Sequence, residues 1–371
     1  MDLRRLEKPV LIVDPEKARR NIDGMAARAA ASGVAFRPHA KTHQCAAVAA
    51  WYRPFGIERI AVSSLDMAGY FQAAGWADIL IAVPVNVHQI PAIDDLAGLC
   101  SLHVLVESET AAAALAGKIR RPLGVWIEID AGYHRTGLPV EQPEPVAAVA
   151  RVLGRNSFLR LNGLLVHDGH TYGASGREQV GLIFEGTLAA MGKVFDHLAG
   201  QGFQGLRFSY GDTPSCSLKD SFPAPITEIR PGNFIFYDLT QAGIGACRIS
   251  DIAAAVACPV ISVHPERGEA VLYGGGVHLS KESVRDEEGR ACYGCIARLR
   301  QDQTGWTDAL PGVSVVSLSQ EQGIVRGPAD FIGSLALGDT LVVLPVHACL
   351  TANSYGTLTI LGEGPVPKFR L

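Results

Sequence analysis

Lysine is scarce in this chain, whose 371 residues carry eight lysines against twenty-five arginines. Most of those lysines sit in charged or helical stretches, but Lys41 follows a short apolar strand in Phe36–His43, FRPHAKTH, between His39 and His43. Positive charge is not in excess: the formal net charge is −4, and the basic cluster Lys118–Arg121 is too short to track a phosphate backbone. Nucleic acid is therefore excluded as a partner. No apolar run approaches a bilayer span, and Val10–Val13 is too short for a signal-peptide core, so no membrane partner and a cytoplasmic location are expected. The eight cysteines are scattered, which suits reduced thiols. Cys292 and Cys295 form one CxxC, which alone could be half a zinc site or a redox motif. With no second pair beside it, two structural thiols are the plainer reading.

Apolar content of 48%, charge of 19% and a mean hydropathy of +0.17 describe a globular chain with a sizeable core. Asp14-Pro15-Glu16 reads as an N-cap, a first-turn proline and an early acid, predicting a helix that runs to about Ala31 before Gly33. Beyond it, apolar strands alternate with helical segments. The strand before Lys41 is followed by Arg59–Val62, Asp78–Val83, Leu102–Val106, Leu123–Ile129, Gly163–His167, Leu206–Tyr210 and Ile226–Ile229. Eight such units close a barrel, so residues 14–240 are expected to form an α/β domain, a (β/α)8 TIM-type barrel. After Asp238, short β-branched runs separated by turns predict an antiparallel β-domain over residues 241–371. Residues 1–13 are expected to join it, with Leu11 on an edge strand.

In such a barrel the working residues stand at the C-terminal ends of the strands. Those ends supply Lys41; Asp130, His134 and Arg135; His167, His170 and Tyr172; Gly211, Thr213 and Ser215; and Gly232, Asn233 and Tyr237. A lysine amine can form an imine, and the glycines and hydroxyls after strands seven and eight suit a phosphate. Each glycine segment alone is a common turn; together with Lys41 they suggest pyridoxal 5'-phosphate as cofactor. For His39, His43, His134 and His170, a satisfied structural histidine is the simpler reading. Late in the chain, Pro345–Thr351 contains His347 and Cys349 one residue apart. On a strand they would share a face and could share a metal ion; read without context, they are a buried histidine beside a core cysteine.

The ordered set RPHAKTH, IDAGYHRTG, HDGHTYG, GDTPSCS, PGNFIFYD and HAC resembles the fold-type III pyridoxal phosphate enzymes over nearly the whole chain. Within them it is similar to the eukaryotic-type D-serine dehydratase and D-threonine aldolase branch, which carries an alanine racemase-like barrel. The resemblance implies that Lys41 is the Schiff-base lysine, that Thr213, Gly232 and Asn233 help hold the phosphate, and that Arg135 approaches the phenolic oxygen. It also implies metal ligation by His347 and Cys349. Dehydratases of this kind carry His-x-Cys and bind zinc, whereas most of the aldolases carry His-x-Asp and use manganese or a similar ion; a thiolate favours zinc. The implied activity is a lyase acting on D-3-hydroxy amino acids, D-serine giving pyruvate and ammonia. The alternative is a D-threonine or 3-hydroxyaspartate aldolase giving glycine and an aldehyde; a racemase and a non-catalytic cofactor carrier are further readings. A homodimer is implied by analogy. Gln322 stands where the family motif often has histidine, and the glycine-rich Tyr273–His278 is read as a tight turn that could bring His278 to substrate.

Overall fold

A computed structural model describes residues 2–286 and 288–370 and divides the chain into two compact units. One holds Gly24–Lys41 and Val48–Gly232; the other gathers Asn233–Arg370, Thr42–Ala47 and the segment up to Asp23.

The first unit is a nearly closed barrel of eight parallel strands: β1 (Ala35–Phe36), β2 (Arg59–Val62), β3 (Asp78–Pro84), β4 (Ser101–Val106), β5 (Leu123–Asp130), β6 (Leu159–His167), β7 (Arg207–Gly211) and β8 (Ile226–Ile229). Their ladder runs β1-β8-β7-β6-β5-β4-β3-β2. The helices between them start where local chemistry says they should: Ser64 and Ser108 accept the backbone N–H groups of Met67 and Ala111 at 3.1 and 3.2 Å. Ile90–Ala97 is a further helix whose start is marked by Pro91. Inside, Ala61, Leu80, Leu105, Trp126 and Leu165, one from each of five neighbouring strands, form a fully buried cluster.

β1 has only two residues and pairs with β8, so the seam facing β2 needs other partners. The Lys41 segment provides them. Ala61 N–H donates to Pro38 O at 2.9 Å, and Ala40 N–H donates to Ala61 O at 2.8 Å. Arg37, buried at 0% exposure, spans the same seam. It donates to Glu228 at 3.0 Å, Asp78 at 2.6 Å and the Ile60 carbonyl at 3.3 Å.

The second unit closes a six-stranded antiparallel barrel in the order Ala254–His264, Glu269–Tyr273, Gln322–Arg326, Ser314–Leu318, Gly294–Arg298, Thr340–Pro345 and back to the first. The first of these, Ala254–His264, is one continuous strand of 11 residues, longer than the short runs expected there. Val10–Val13 is not an edge: it pairs antiparallel with Ala254–Ala257 and parallel with Thr359–Ile360, because its residues are apolar on both faces. Asp14 then caps the helix Pro15–Ala31, accepting from Glu16 and Lys17 N–H at 3.0 Å each. Short helices also occur in this unit, at Gly276–Leu279, Ala329–Gly333 and Ala348–Asn353, below the length at which periodicity is readable.

Replacing Arg37 by methionine strands two carboxylates at the barrel seam. Arg37→Met should cost about 3–5 kcal/mol in denaturant unfolding, and Glu228→Gln added to it should recover part of that loss.

Candidate active site

Lys41 leaves the seam directly, with its backbone N–H on His39 Nδ1 at 3.3 Å; His39 is thus engaged locally. At the end of β6, the His167 ring meets the Gly211 carbonyl through Nδ1 at 2.9 Å. A carbonyl only accepts, so Nδ1 carries the proton and Nε2 keeps a lone pair. Burial first, then the positive charges of Lys41, Arg135 and Arg230, hold His167 well below the ordinary imidazole range. It is a neutral ring.

Asp130, at the end of β5, folds the next loop. Its Oδ1 accepts from Gly132 and His134 N–H at 2.9 and 3.0 Å, and its Oδ2 meets His134 Nδ1 at 3.0 Å. His134 is therefore a loop clasp. Gly137, at φ +110°, closes the loop where a Cβ would stand 2.6 Å from Asp130 N. Arg135 is exposed there, 5.1 Å from the Tyr133 ring centroid. His170 stacks on Tyr133 at 6.3 Å.

After β7, Asp212 caps the short helix Thr213–Leu218 by accepting from Ser215 N–H at 2.6 Å. Tyr172 OH accepts from Thr213 N–H at 3.2 Å. Tyr210 OH donates to Asp168 at 2.9 Å, and burial raises Asp168 to about 6 and Asp212 to about 7. Thr213 Oγ1 is buried and has no hydrogen-bond partner among the described residues. An orphaned hydroxyl at the end of a barrel strand, next to Gly211, suits an anionic oxygen and fits a cofactor phosphate.

In the second unit, Asn233 Oδ1 is likewise buried and orphaned, while its Nδ2 donates to Asp238 at 2.5 Å and lies 3.6 Å from Cys349 Sγ. Tyr237 is buried at φ +49°. His347 and Cys349 are not on one strand: the strand ends at Pro345, His347 is the extended N-cap residue, and Cys349 lies in the first turn of Ala348–Asn353. The two side chains nevertheless meet. Burial alone would push His347 down, but its hydrogen bond to the Cys349 thiolate, helped by Asp238 and Glu282, carries it up to about 9. A nitrogen and a sulfur donor brought together in one turn fit a soft divalent cation. Among the described residues, no group of three or more Cys, His, Asp and Glu side chains could hold a metal.

Three residues around this pair are given no role by the sequence, although Thr42 and Asp238 lie within the quoted motifs RPHAKTH and PGNFIFYD. Thr42, next in the chain after Lys41, lies 3.2 Å from Cys349 Sγ through its hydroxyl. Asp238 takes the Ala348 N–H at 2.9 Å while capping Leu239–Ile244 through Gln241 N–H at 3.0 Å. Glu282 accepts from His347 Nδ1 at 2.6 Å. Gln322 and His278 flank a tight turn: Gly274 N–H bonds Glu321 O at 2.9 Å, and His278 Nδ1 accepts from Gly275 N–H at 3.3 Å.

His43 accepts from Cys45 N–H at 3.1 Å, and complete burial lowers it to about 3. The unfolded chain takes up this proton near pH 6.5 and the folded chain does not, so stability falls as pH drops from about 6.5 to about 3. His43→Asn keeps an acceptor for Cys45 N–H. It should flatten the stability profile in that window by about 1.4 kcal/mol per pH unit, as read from urea titrations at stepped pH.

Residues 13–239 match the family "Alanine racemase, N-terminal domain", and residues 253–361 match a serine dehydratase domain. The chain is 32% identical over 361 residues to the D-threo-3-hydroxyaspartate dehydratase of Delftia sp. (strain HT23), covering 94% of this chain and 93% of that one. It is 26% identical over 383 residues to the D-serine dehydratase of Dictyostelium discoideum, covering 98% and 95%. A solved structure of a D-threo-3-hydroxyaspartate dehydratase, a cysteine-to-alanine variant in the metal-free form, aligns with a TM-score of 0.89 at 31% identity, covering 100% and 98%. The chain therefore belongs to the fold-type III pyridoxal phosphate enzymes, in the branch that follows an alanine racemase-type barrel with a serine dehydratase-type domain.

Proposed function

We propose that this protein is a metal-assisted D-3-hydroxy amino acid dehydratase, turning D-serine into pyruvate and ammonia, with zinc as its metal. The feature that carries this reading is the placement of an imidazole and a thiol, His347 and Cys349, on either side of Ala348 in the turn after Pro345. A thiolate ligand favours a soft ion over manganese, and the relatives named as dehydratases support elimination over aldol cleavage. Their names also make D-threo-3-hydroxyaspartate a candidate substrate, whose elimination gives oxaloacetate and ammonia.

Bound pyridoxal phosphate supplies an electron sink for the α-carbanion, and the metal supplies Lewis acidity at the β-hydroxyl. Lys41 anchors the cofactor, and its released amine takes the α-proton. Gly211, Thr213, Gly232 and Asn233 receive the phosphate, a role supported at Thr213 by its buried, orphaned hydroxyl, which can donate to an anionic oxygen. Tyr172 orients the Thr213 amide, and Arg135 takes the phenolic oxygen. Neutral His167 and buried Tyr237 line the cofactor without adding charge. His347 and Cys349 hold the metal. The sequence adjacency of Lys41 to Thr42, and the Thr42–Cys349 contact, support both groups serving one substrate. Hydroxide leaves from Cβ as water once protonated, and the released enamine hydrolyses to the 2-oxo acid and ammonia. The enzyme is proposed to act as a cytoplasmic homodimer.

Zinc-loaded protein incubated with D-serine, D-threonine and D-threo-3-hydroxyaspartate should release pyruvate, 2-oxobutyrate and oxaloacetate, each with ammonia. Glycine and an aldehyde as the products would establish the aldolase instead. Chelation, or His347→Ala, should lower turnover on the order of a hundredfold or more, the scale of a lost Lewis acid. Lys41→Ala should lose the visible absorption of lysine-bound pyridoxal phosphate.

A further inference from the structure

We infer that Glu282 is a positioning residue that fixes the metal-facing nitrogen of His347, an inference that rests on the proposed metal site. Its carboxylate lies 2.6 Å from Nδ1, a short charge-assisted bond, sixty-five residues away in sequence. A carboxylate only accepts, so Nδ1 carries a proton and Nε2 is the nitrogen the ring would present to a cation. The two nitrogens diverge across the ring, so a group seated on Nδ1 stands behind the ligand and does not share its ion. With Nδ1 occupied, Nε2 is the nitrogen left for Cys349.

The segment carrying Glu282 is built to hold it there. The helix Gly276–Leu279 is tied to Ala348–Asn353 by Thr351, whose buried hydroxyl donates to Leu279 O at 2.9 Å. The chain then turns through Ser280 at φ +72°, a left-handed conformation that side chains rarely adopt, and the Ser280 hydroxyl accepts from Glu282 N–H at 3.4 Å. Strain at a non-glycine position persists where the surroundings determine it. Here the helix on one side and His347 on the other do so. The Glu282 side chain is about half exposed, at 49%, so the contact matters for orientation rather than for burial.

The test uses pyridoxal phosphate-loaded protein, stripped of metal and titrated with zinc against a competing chelator. Glu282→Ala should weaken zinc binding by about 10–100-fold, the usual effect of losing an outer partner. Glu282→Gln, whose amide oxygen still accepts from Nδ1, should lie between it and the wild type. The unfolding midpoint of the metal-free protein should be unchanged in both. Wild-type zinc affinity in Glu282→Ala overturns the inference, as does an equal loss in the two variants or a loss that tracks a lowered metal-free midpoint. His347→Ala separates this from the parent reading: if that variant keeps wild-type zinc affinity, the metal site itself is misassigned; if it loses zinc, the Glu282 result stands alone.

Discussion

A buried guanidinium at the barrel seam is the constraint on which the first unit depends. β1 is too short to ladder with β2, so the closure that a longer strand would make through its backbone is made by Arg37 and by the three residues after it. Glu228 and Asp78 hold Arg37 charged despite complete burial, and Glu228 also accepts from the Ser209 hydroxyl at 2.6 Å. Through Ser209 the network reaches Arg230, which donates to Ser209 Oγ at 2.7 Å and to the Val166 carbonyl at 2.6 Å. Seam and rim are thus parts of one hydrogen-bonded system. A desolvated ion pair of this kind contributes little net stability compared with an apolar core, but it specifies register, because any slip leaves a charge unpaired. Lys41 inherits its position from that register.

The second unit has a counterpart in Asp238. One fully buried carboxylate caps a helix through Gln241, takes the Asn233 amide and receives the backbone N–H of Ala348. Burial pushes it above the usual carboxylate range even though these donors pull it down. Its Oδ2 takes both the Asn233 amide and the Ala348 N–H, tying Asn233 to the turn that carries His347 and Cys349. The same logic recurs in both units: a charge removed from water is satisfied by hydrogen bonds, and one of its partners or neighbours adjoins a candidate site residue, Lys41 soon after Arg37 and Ala348 between His347 and Cys349.

Much of this was legible in the sequence because its signals are local. Asp14-Pro15-Glu16 marks a helix start whatever the rest of the chain does, since a cap acts on amides two and three residues away. Apolar runs of strand length separated by helical segments give the barrel, and the glycine and hydroxyl turns at the strand ends give the rim. His-x-Cys was legible as a pair but not as a geometry. The expected strand stops at Pro345, and an extended N-cap followed by a helical turn brings the two side chains together where period-two alternation was invoked.

Asp238, Thr42 and Glu282 gave no warning, as an ordinary aspartate, threonine and glutamate in loops and turns. Their significance comes from partners about 65 to 307 residues away, which no window on the chain can contain. The sequence alone determined which chemical groups are available and which backbone segments carry them, because residue type and local periodicity are properties of neighbours. Only tertiary structure decided which carboxylate meets Nδ1 of His347, which hydroxyl meets Cys349 and how the barrel seam is closed. Those depend on distances between remote segments, and the burial of unpaired charge enforces them far more strongly than any local preference.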